Sequence, residues 1–176
     1  MPRINWRDSV EGKTILFAEP RNRTVKKLLN DAIILIDERE QLPWSFKFSK
    51  RVRLDVGDYS AVVSGLDLRE IFVVERKGSP SEFVDTVARE RKRFENELHK
   101  LSKIPMRLVI CEFTIEDLIL ELSGRRVADT AVFGTLVAWQ TCFGIPFLFL
   151  PDRENARLAF LKALEFAIKA NFVETF

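Results

Sequence analysis

The sequence predicts an α/β fold, a mixed central sheet flanked by helices on both faces, and three observations carry that expectation. Apolar runs of strand length, Ala32-Ile33-Ile34-Leu35-Ile36 and Ile71-Phe72-Val73-Val74, have the unbroken character of strands covered on both sides. Several strand candidates follow one another with only Gly57-Asp58 and Ser64-Gly65 as turn punctuation, which suits antiparallel pairing. After Pro80 the pattern becomes helix, strand, helices, strand and helix, which adds layers to that sheet.

Each element has a local reason. Ile15 to Ala18 could pair as a strand, and Pro20 to Arg23 reads as a turn before a short helical piece around Lys26 to Leu29, so residues 1–31 are expected to form an arm packed on a domain of residues 32–176. The strand from Ala32 stops at Asp37-Glu38-Arg39-Glu40, and further strands are expected at Val52–Val56, Tyr59–Val63 and Ile71–Arg76. Pro80, set between serines, opens a helix expected to run to about Lys103. Then follow a strand at Arg107–Cys111, a helix at Ile115–Leu122, a helix at Asp129–Cys142, a strand at Pro146–Leu150 and a helix at Arg153–Ala170.

A chain of 176 residues, 47% apolar, suits one well-buried core. Its net charge of +2 neither demands nor excludes nucleic acid, so local clusters must decide. Cys111 and Cys142 sit in apolar segments without metal-ligand spacing and read as reduced core thiols. With no signal-peptide pattern at Met1 to Trp6 and no apolar stretch of bilayer length, the expectation is a soluble protein of the cytoplasm or nucleoid, without a membrane partner.

The chemistry concentrates where a buried-looking strand ends in three charges, Glu75-Arg76-Lys77. Alternation puts Glu75 and Lys77 on one face and Arg76 on the other. If Asp58 is brought alongside by pairing, Asp58 and Glu75 become oxygen ligands for a hard divalent cation, with Lys77 as a fixed positive charge, a set suited to phosphodiester hydrolysis. Asp37 and Glu40, just past a buried strand, are the next acids within reach. Taken alone, the same residues also read as a charged strand end beside a turn aspartate.

Three segments in order resemble the XPF-type structure-specific nuclease domain of the PD-(D/E)xK superfamily. They are Ile33 to Pro43 with Asp37-Glu38-Arg39-Glu40, the Gly57-Asp58-Tyr59 step, and Val74-Glu75-Arg76-Lys77; Arg93 to Leu98 resembles the helix that follows. The resemblance covers roughly residues 32 to 150. It implies a restriction-endonuclease-like sheet and Mg²⁺-dependent cleavage of branched or flapped DNA in repair or recombination, with Mn²⁺ able to substitute. Asp58 and Glu75 become metal ligands, Lys77 the catalytic lysine, and Asp37, Arg39 and Glu40 supporting residues. Two departures stand out: Ser81 occupies the place where the family commonly has an acid, with Glu82 one position late, and no tandem helix-hairpin-helix module follows. A catalytically silent DNA-binding scaffold and another PD-(D/E)xK nuclease, of restriction or junction-resolving type, are the alternatives.

Basic segments flank the site. Lys47 to Arg53 leads into Gly57-Asp58, and Arg89-Glu90-Arg91-Lys92-Arg93 lies beyond Lys77. Phosphate contact is expected from Arg39, Arg76, Arg89, Arg91 and Arg93, with Arg125-Arg126 as weaker candidates. The apolar stripe Phe83, Val87, Phe94, Leu98, Leu101 passes through Glu90 and Arg91, so Arg91 is expected to border the cleft. His99 reads as a surface residue, Trp44 as a packed loop anchor with base stacking as its alternative, and Trp6 and Trp139 as structural. The last helix is apolar almost all round, as is Ala131-Val132-Phe133 with Val137 and Trp139. Either these surfaces bury one another or they meet a second copy, and the resemblance implies a homodimer through the C-terminal helices.

Overall fold

The computed structural model describes residues 22–125 and 128–172. Residues 1–21 of the expected arm, with Trp6, and Arg126 lie outside the described residues.

In chain order the elements are α1 (Asn22–Asn30), β1 (Ile33–Asp37), β2 (Ser49–Val52), β3 (Tyr59–Val63), β4 (Leu66–Asp67), β5 (Phe72–Lys77), α2 (Pro80–Ala88), α3 (Arg91–Leu101), β6 (Met106–Cys111), α4 (Ile115–Ser123), α5 (Asp129–Phe143), β7 (Phe147–Phe149) and α6 (Arg153–Phe172). Among the described residues seven strands form one mixed sheet in the order β2-β1-β3-β5-β6-β7, with β4 beside β3. β3 runs antiparallel to both β1 and β5, while β1/β2, β5/β6 and β6/β7 are parallel pairs. The α/β expectation holds.

Strand alternation divides the interior into two layers. Phe72 and Val74 of β5 join Leu108 and Ile110 of β6 and the buried face of α6, Ala156, Phe160, Leu164 and Ala167. Val73, Val109 and Cys111 face the other way, among Phe83 and Val84 of α2, Phe94 and Leu98 of α3 and Trp139 of α5. α1 packs against α6 and buries Val25.

Three expectations need correction. The helix from Pro80 is two helices: it is capped by Ser79, whose side chain accepts from the Glu82 N–H, and it ends at Ala88, with α3 starting at Arg91. The strand expected at Val52–Val56 lies earlier, at Ser49–Val52, an exposed and cationic edge strand with no hydrophobic period to reveal it. Cys111 is buried as expected, but Cys142 is exposed on α5. The Ser64-Gly65 turn is as expected, both residues having positive φ, 49° and 83°, in a two-residue hairpin loop between β3 and the unanticipated β4.

Candidate active site

The directions of the strands gather the acids. β1 ends at Asp37, β3 begins at Tyr59 and β5 ends at Lys77, so all three place their charged residues at one end of the sheet. Gly57 makes the approach possible. Its φ is +69°, and a Cβ there would lie 2.4 Å from Val73 Cγ1 and 3.1 Å from the Val74 carbonyl oxygen. Asp58 therefore lies directly against β5: its N–H donates to Val74 O at 2.9 Å, and its Oδ2 accepts from the Arg76 N–H at 2.7 Å.

Glu75 and Lys77 share a face, as alternation requires, with Lys77 Nζ donating to Glu75 Oε1 at 3.1 Å. Both are buried, 7% and 5% exposed. Nζ also lies 4.4 Å from the Phe94 ring centroid, a cation–π contact that helps hold the ammonium in place. Glu82 closes the group: Oε1 is 3.5 Å from Lys77 Nζ, and Oε2 accepts from Gly78 N–H at 2.9 Å.

Three carboxylates thus lie about one ammonium, and burial together with their mutual charge makes the group hold protons more tightly. Burial pushes the Glu75 carboxyl up, with Lys77 opposing and Glu97 adding to the shift. Burial and the neighbouring Glu75 charge push Asp58 well up, against the Arg76 N–H and Lys77. Burial alone would lower the Lys77 ammonium, but Glu75 and Glu82 carry it upward. A hard divalent cation fits this donor set, because its charge would offset the repulsion between the neighbouring carboxylates. Among the described residues no group of three or more His, Cys, Asp or Glu side chains is gathered as a metal cage. Asp58 and Glu75 would therefore leave most coordination positions to water and substrate oxygens.

These residues border a cleft of about 550 Å³, whose walls include Arg39, Glu40, Leu42, Asp58, Glu75, Lys77, Glu82, Arg93, Glu97 and Lys100. A second cleft of about 600 Å³ shares Asp55 and Val56 with it but also carries Asp67 and Glu70, and its Arg69 is paired with Asp67. That charge is wrong for phosphate.

Several sequence candidates occupy other places. Asp37, expected near the chemistry, is fully buried and does not border the cleft; its carboxylate accepts from Arg39 Nε at 2.6 Å and Leu54 N–H at 2.8 Å. Arg76, expected on DNA, does border the cleft, but its guanidinium is turned toward the α6 layer. There it pairs with Glu112 at 2.7 Å and Glu40 at 3.2 Å, and its side chain is 8% exposed. Arg89 and Arg91 do not border the cleft, because the chain bends between α2 and α3; Arg91 pairs with Glu95 at 2.9 Å. Arg39 and Arg93 do border it, and Glu40 reaches it too. Trp44 is a buried anchor stacked on Tyr59, with ring centroids 4.3 Å apart, so base stacking is closed to it. Trp139 is buried and His99 exposed, as expected. Arg125 is paired with Asp85 and Glu121.

Glu97 and Lys100 border the cleft, and Glu112 anchors Arg76 behind it, without any of them having stood out in the sequence. Glu97 and Lys100, three apart on α3, share a face with Arg93, so the signal was there once the helix phase was known. Glu112 had none, since only its position one residue past β6 brings it to Arg76. Glu82 supplies the acid near Lys77 although it stands one residue late: Ser81 turns instead toward Arg125, 2.5 Å away.

Comparison with known proteins agrees with this fold. Among solved structures, XPF from Aeropyrum pernix is similar at a TM-score of 0.58 and 16% identity, covering 77% of this chain and 61% of that one. XPF from Aeropyrum pernix in complex with DNA gives 0.58 and 17%, covering 80% and 66%. The chain thus spans a little under two thirds of those structures, and at such identity the likeness shows the fold. No curated protein matches the chain. The family model of the ERCC4 domain matches residues 36–161, a span that holds Asp58, Glu75 and Lys77 together with the sheet that assembles them, and the chain belongs to the ERCC4 domain family.

Proposed function

We propose that this protein is a metal-dependent DNA endonuclease that hydrolyses phosphodiester bonds in branched or flapped DNA, in repair or recombination. The observation that carries the reading is the pair of repelling carboxylates, Asp58 and Glu75, set beside a buried lysine in an open cleft. A protein gains no stability from such a pair, so its presence favours a bound cation. The ERCC4 family match and a solved relative in complex with DNA support the substrate class.

Asp58 and Glu75 would hold Mg²⁺, with Mn²⁺ able to replace it. When bound, the ion supplies Lewis acidity toward the scissile phosphate and lowers the pKa of its water. The chain's own contribution is preorganisation. Lys77, fixed by Glu75 and the Phe94 ring, holds an ammonium beside the acids where negative charge builds on the phosphate. Glu82 helps fix that ammonium from the open side of the cleft. Arg39, Arg93 and Lys100 line the cleft and would take neighbouring phosphates, which positions DNA without reading its sequence.

The experiment is plasmid nicking with Mg²⁺ against EDTA, repeated with Asp58→Ala and Glu75→Ala. Metal-dependent nicking lost in both variants supports the reading. If the wild type shifts DNA on a gel yet cuts nothing under any divalent ion, the silent scaffold takes its place. A panel of flap, fork, four-way junction and linear substrates separates branch-directed cleavage from a restriction or junction-resolving role. Pairing of two copies through the C-terminal helices belongs to the same proposal, since Leu158 and Phe166 of α6 and Val137 of α5 are exposed; sedimentation tests it. No helix among the described residues is long and apolar enough to cross a membrane, and a cytoplasmic or nucleoid location follows from a DNA substrate.

A further inference from the structure

Among the described residues bordering the cleft, Leu42 is the one large apolar side chain that is strongly exposed, at 69%. An isolated surface leucine is ordinary in itself. What distinguishes Leu42 is the fixity of its backbone. Its N–H donates to Glu40 Oε1 at 2.8 Å, and its carbonyl accepts from Arg153 Nη2 at 2.7 Å. The carbonyl of Pro43 accepts from the same guanidinium. Glu40 is itself anchored on Arg76, and two residues beyond Leu42 the backbone N–H of Trp44 donates to the Tyr59 hydroxyl at 3.0 Å. The segment is thus tied to β5, α6 and β3, and the apolar side chain is left in solvent at the cleft.

Resting on the nuclease reading above, we propose that Leu42 is a wedge that packs against a base left unstacked at a branch, flap or nick. The cleft's cations, Arg39 and Arg93, suit phosphates. Continuous duplex would press Leu42 against that same charged backbone, where it has nothing apolar to cover. An interrupted stack offers the face of a base, and an apolar side chain on a rigid segment exploits such a step at little entropic cost. Leu42 therefore determines selectivity for interrupted duplex, while the acids and Lys77 carry the chemistry.

The test uses the whole chain and two readouts. In a Glu75→Gln background, so that DNA stays intact, a flap substrate carrying 2-aminopurine beside the branch should brighten on binding. Leu42→Ser should remove most of that rise and Leu42→Met should retain it. In the active chain, the ratio of kcat/KM on flap to that on linear duplex should fall about tenfold with Leu42→Ser and recover with Leu42→Met, the scale expected for losing one covered leucine. An unchanged ratio, or full brightening with Leu42→Ser, overturns the wedge. So does a Leu42→Ser protein that melts well below wild type, since the side chain would then support the fold. If the unmodified chain cuts no DNA, the nuclease reading fails separately, and the fluorescence arm still decides the wedge because it reads binding alone.

Discussion

Glu112 receives Arg76 through two parallel hydrogen bonds, Nε to Oε1 at 2.7 Å and Nη2 to Oε2 at 2.8 Å, with both side chains under a tenth exposed. Trp44 Nε1 also donates to Glu112, and Arg153 lies 3.5 Å from it. Burial alone would raise the Glu112 carboxyl, but Arg76, Trp44 and Arg153 hold it below the usual carboxylate range. Removing Glu112 leaves the buried Arg76 guanidinium with the longer Glu40 contact alone. Glu112→Ala should lose about 3–5 kcal/mol in urea unfolding, and Glu112→Gln less, about 1–2 kcal/mol, because it keeps acceptor capacity. A Glu112→Ala protein unfolding at the wild-type midpoint would show that this cage does not stabilise the fold.

Asp37 makes the acid limb of stability steeper. Burial pulls its carboxyl up, yet hydrogen bonds from the Arg39 side chain, the Leu54 N–H and the Arg39 N–H, with the Arg39 charge, hold it net below its ordinary value. A folded pKa below the unfolded one gives stability that is present above about pH 4 and is lost as pH falls through the folded value. Asp37→Asn should therefore be less stable than wild type at pH 7, and the difference should shrink toward pH 2. Denaturant midpoints measured from pH 7 to pH 2 give the answer, and a constant offset would contradict it.

Glu75→Gln should lose at least about a thousandfold in cleavage and yet, in EDTA, melt at or above the wild-type temperature. The reason is that burial, with the Glu97 and Glu82 charges, disfavours the Glu75 carboxylate more than Lys77 favours it, so a neutral isostere removes a net penalty, a gain on the order of 1 kcal/mol. Addition of Mn²⁺ should raise the melting temperature of wild type and leave the variant nearly unmoved. Scanning calorimetry with and without the ion decides this, independently of any DNA.

Lys77→Met keeps the stem over Phe94 and removes the charge, so cleavage should fall about a hundredfold or more, mainly in kcat. Glu82→Gln should lower cleavage by about tenfold at most, since Glu82 helps hold the ammonium from an exposed position. A double variant that exchanges positions, Ser81→Glu with Glu82→Ser, should not recover activity, because residue 81 faces Arg125. Single-turnover rates on a nicking substrate separate these cases.

The charged end of β5 was legible because burial and charge change abruptly within it: after four apolar residues, Glu75-Arg76-Lys77 sets three charges where packing alone would continue the apolar run. Gly57-Asp58 was legible because a glycine at a sharp turn leaves a trace in composition. Elsewhere the chain leaves no such trace. The bend at Arg89-Glu90 contains neither glycine nor proline, and Val87 and Phe94, seven residues apart, keep helical phase across it, so the apolar stripe reads as continuous. β2 escaped because an edge strand with a burial pattern of exposed residues has no alternation to detect. Arg76 looked available to DNA until Glu112 was brought against it, a contact that links residues 36 positions apart.

β5 carries the cleft's acid and lysine on one set of alternate residues and the arginine anchor between them, so the strand has a parity. Glu75 and Lys77 belong to the α3 side, Arg76 to the α6 side, and both neighbours of β5 are locked in register with it. Shifting the strand by one residue would turn the acid and lysine into the α6 layer and leave the guanidinium in the cleft. Descendants of this chain are free to change what wraps the strand, but the count of residues along it cannot drift by one without exchanging the cleft's charges for its anchor.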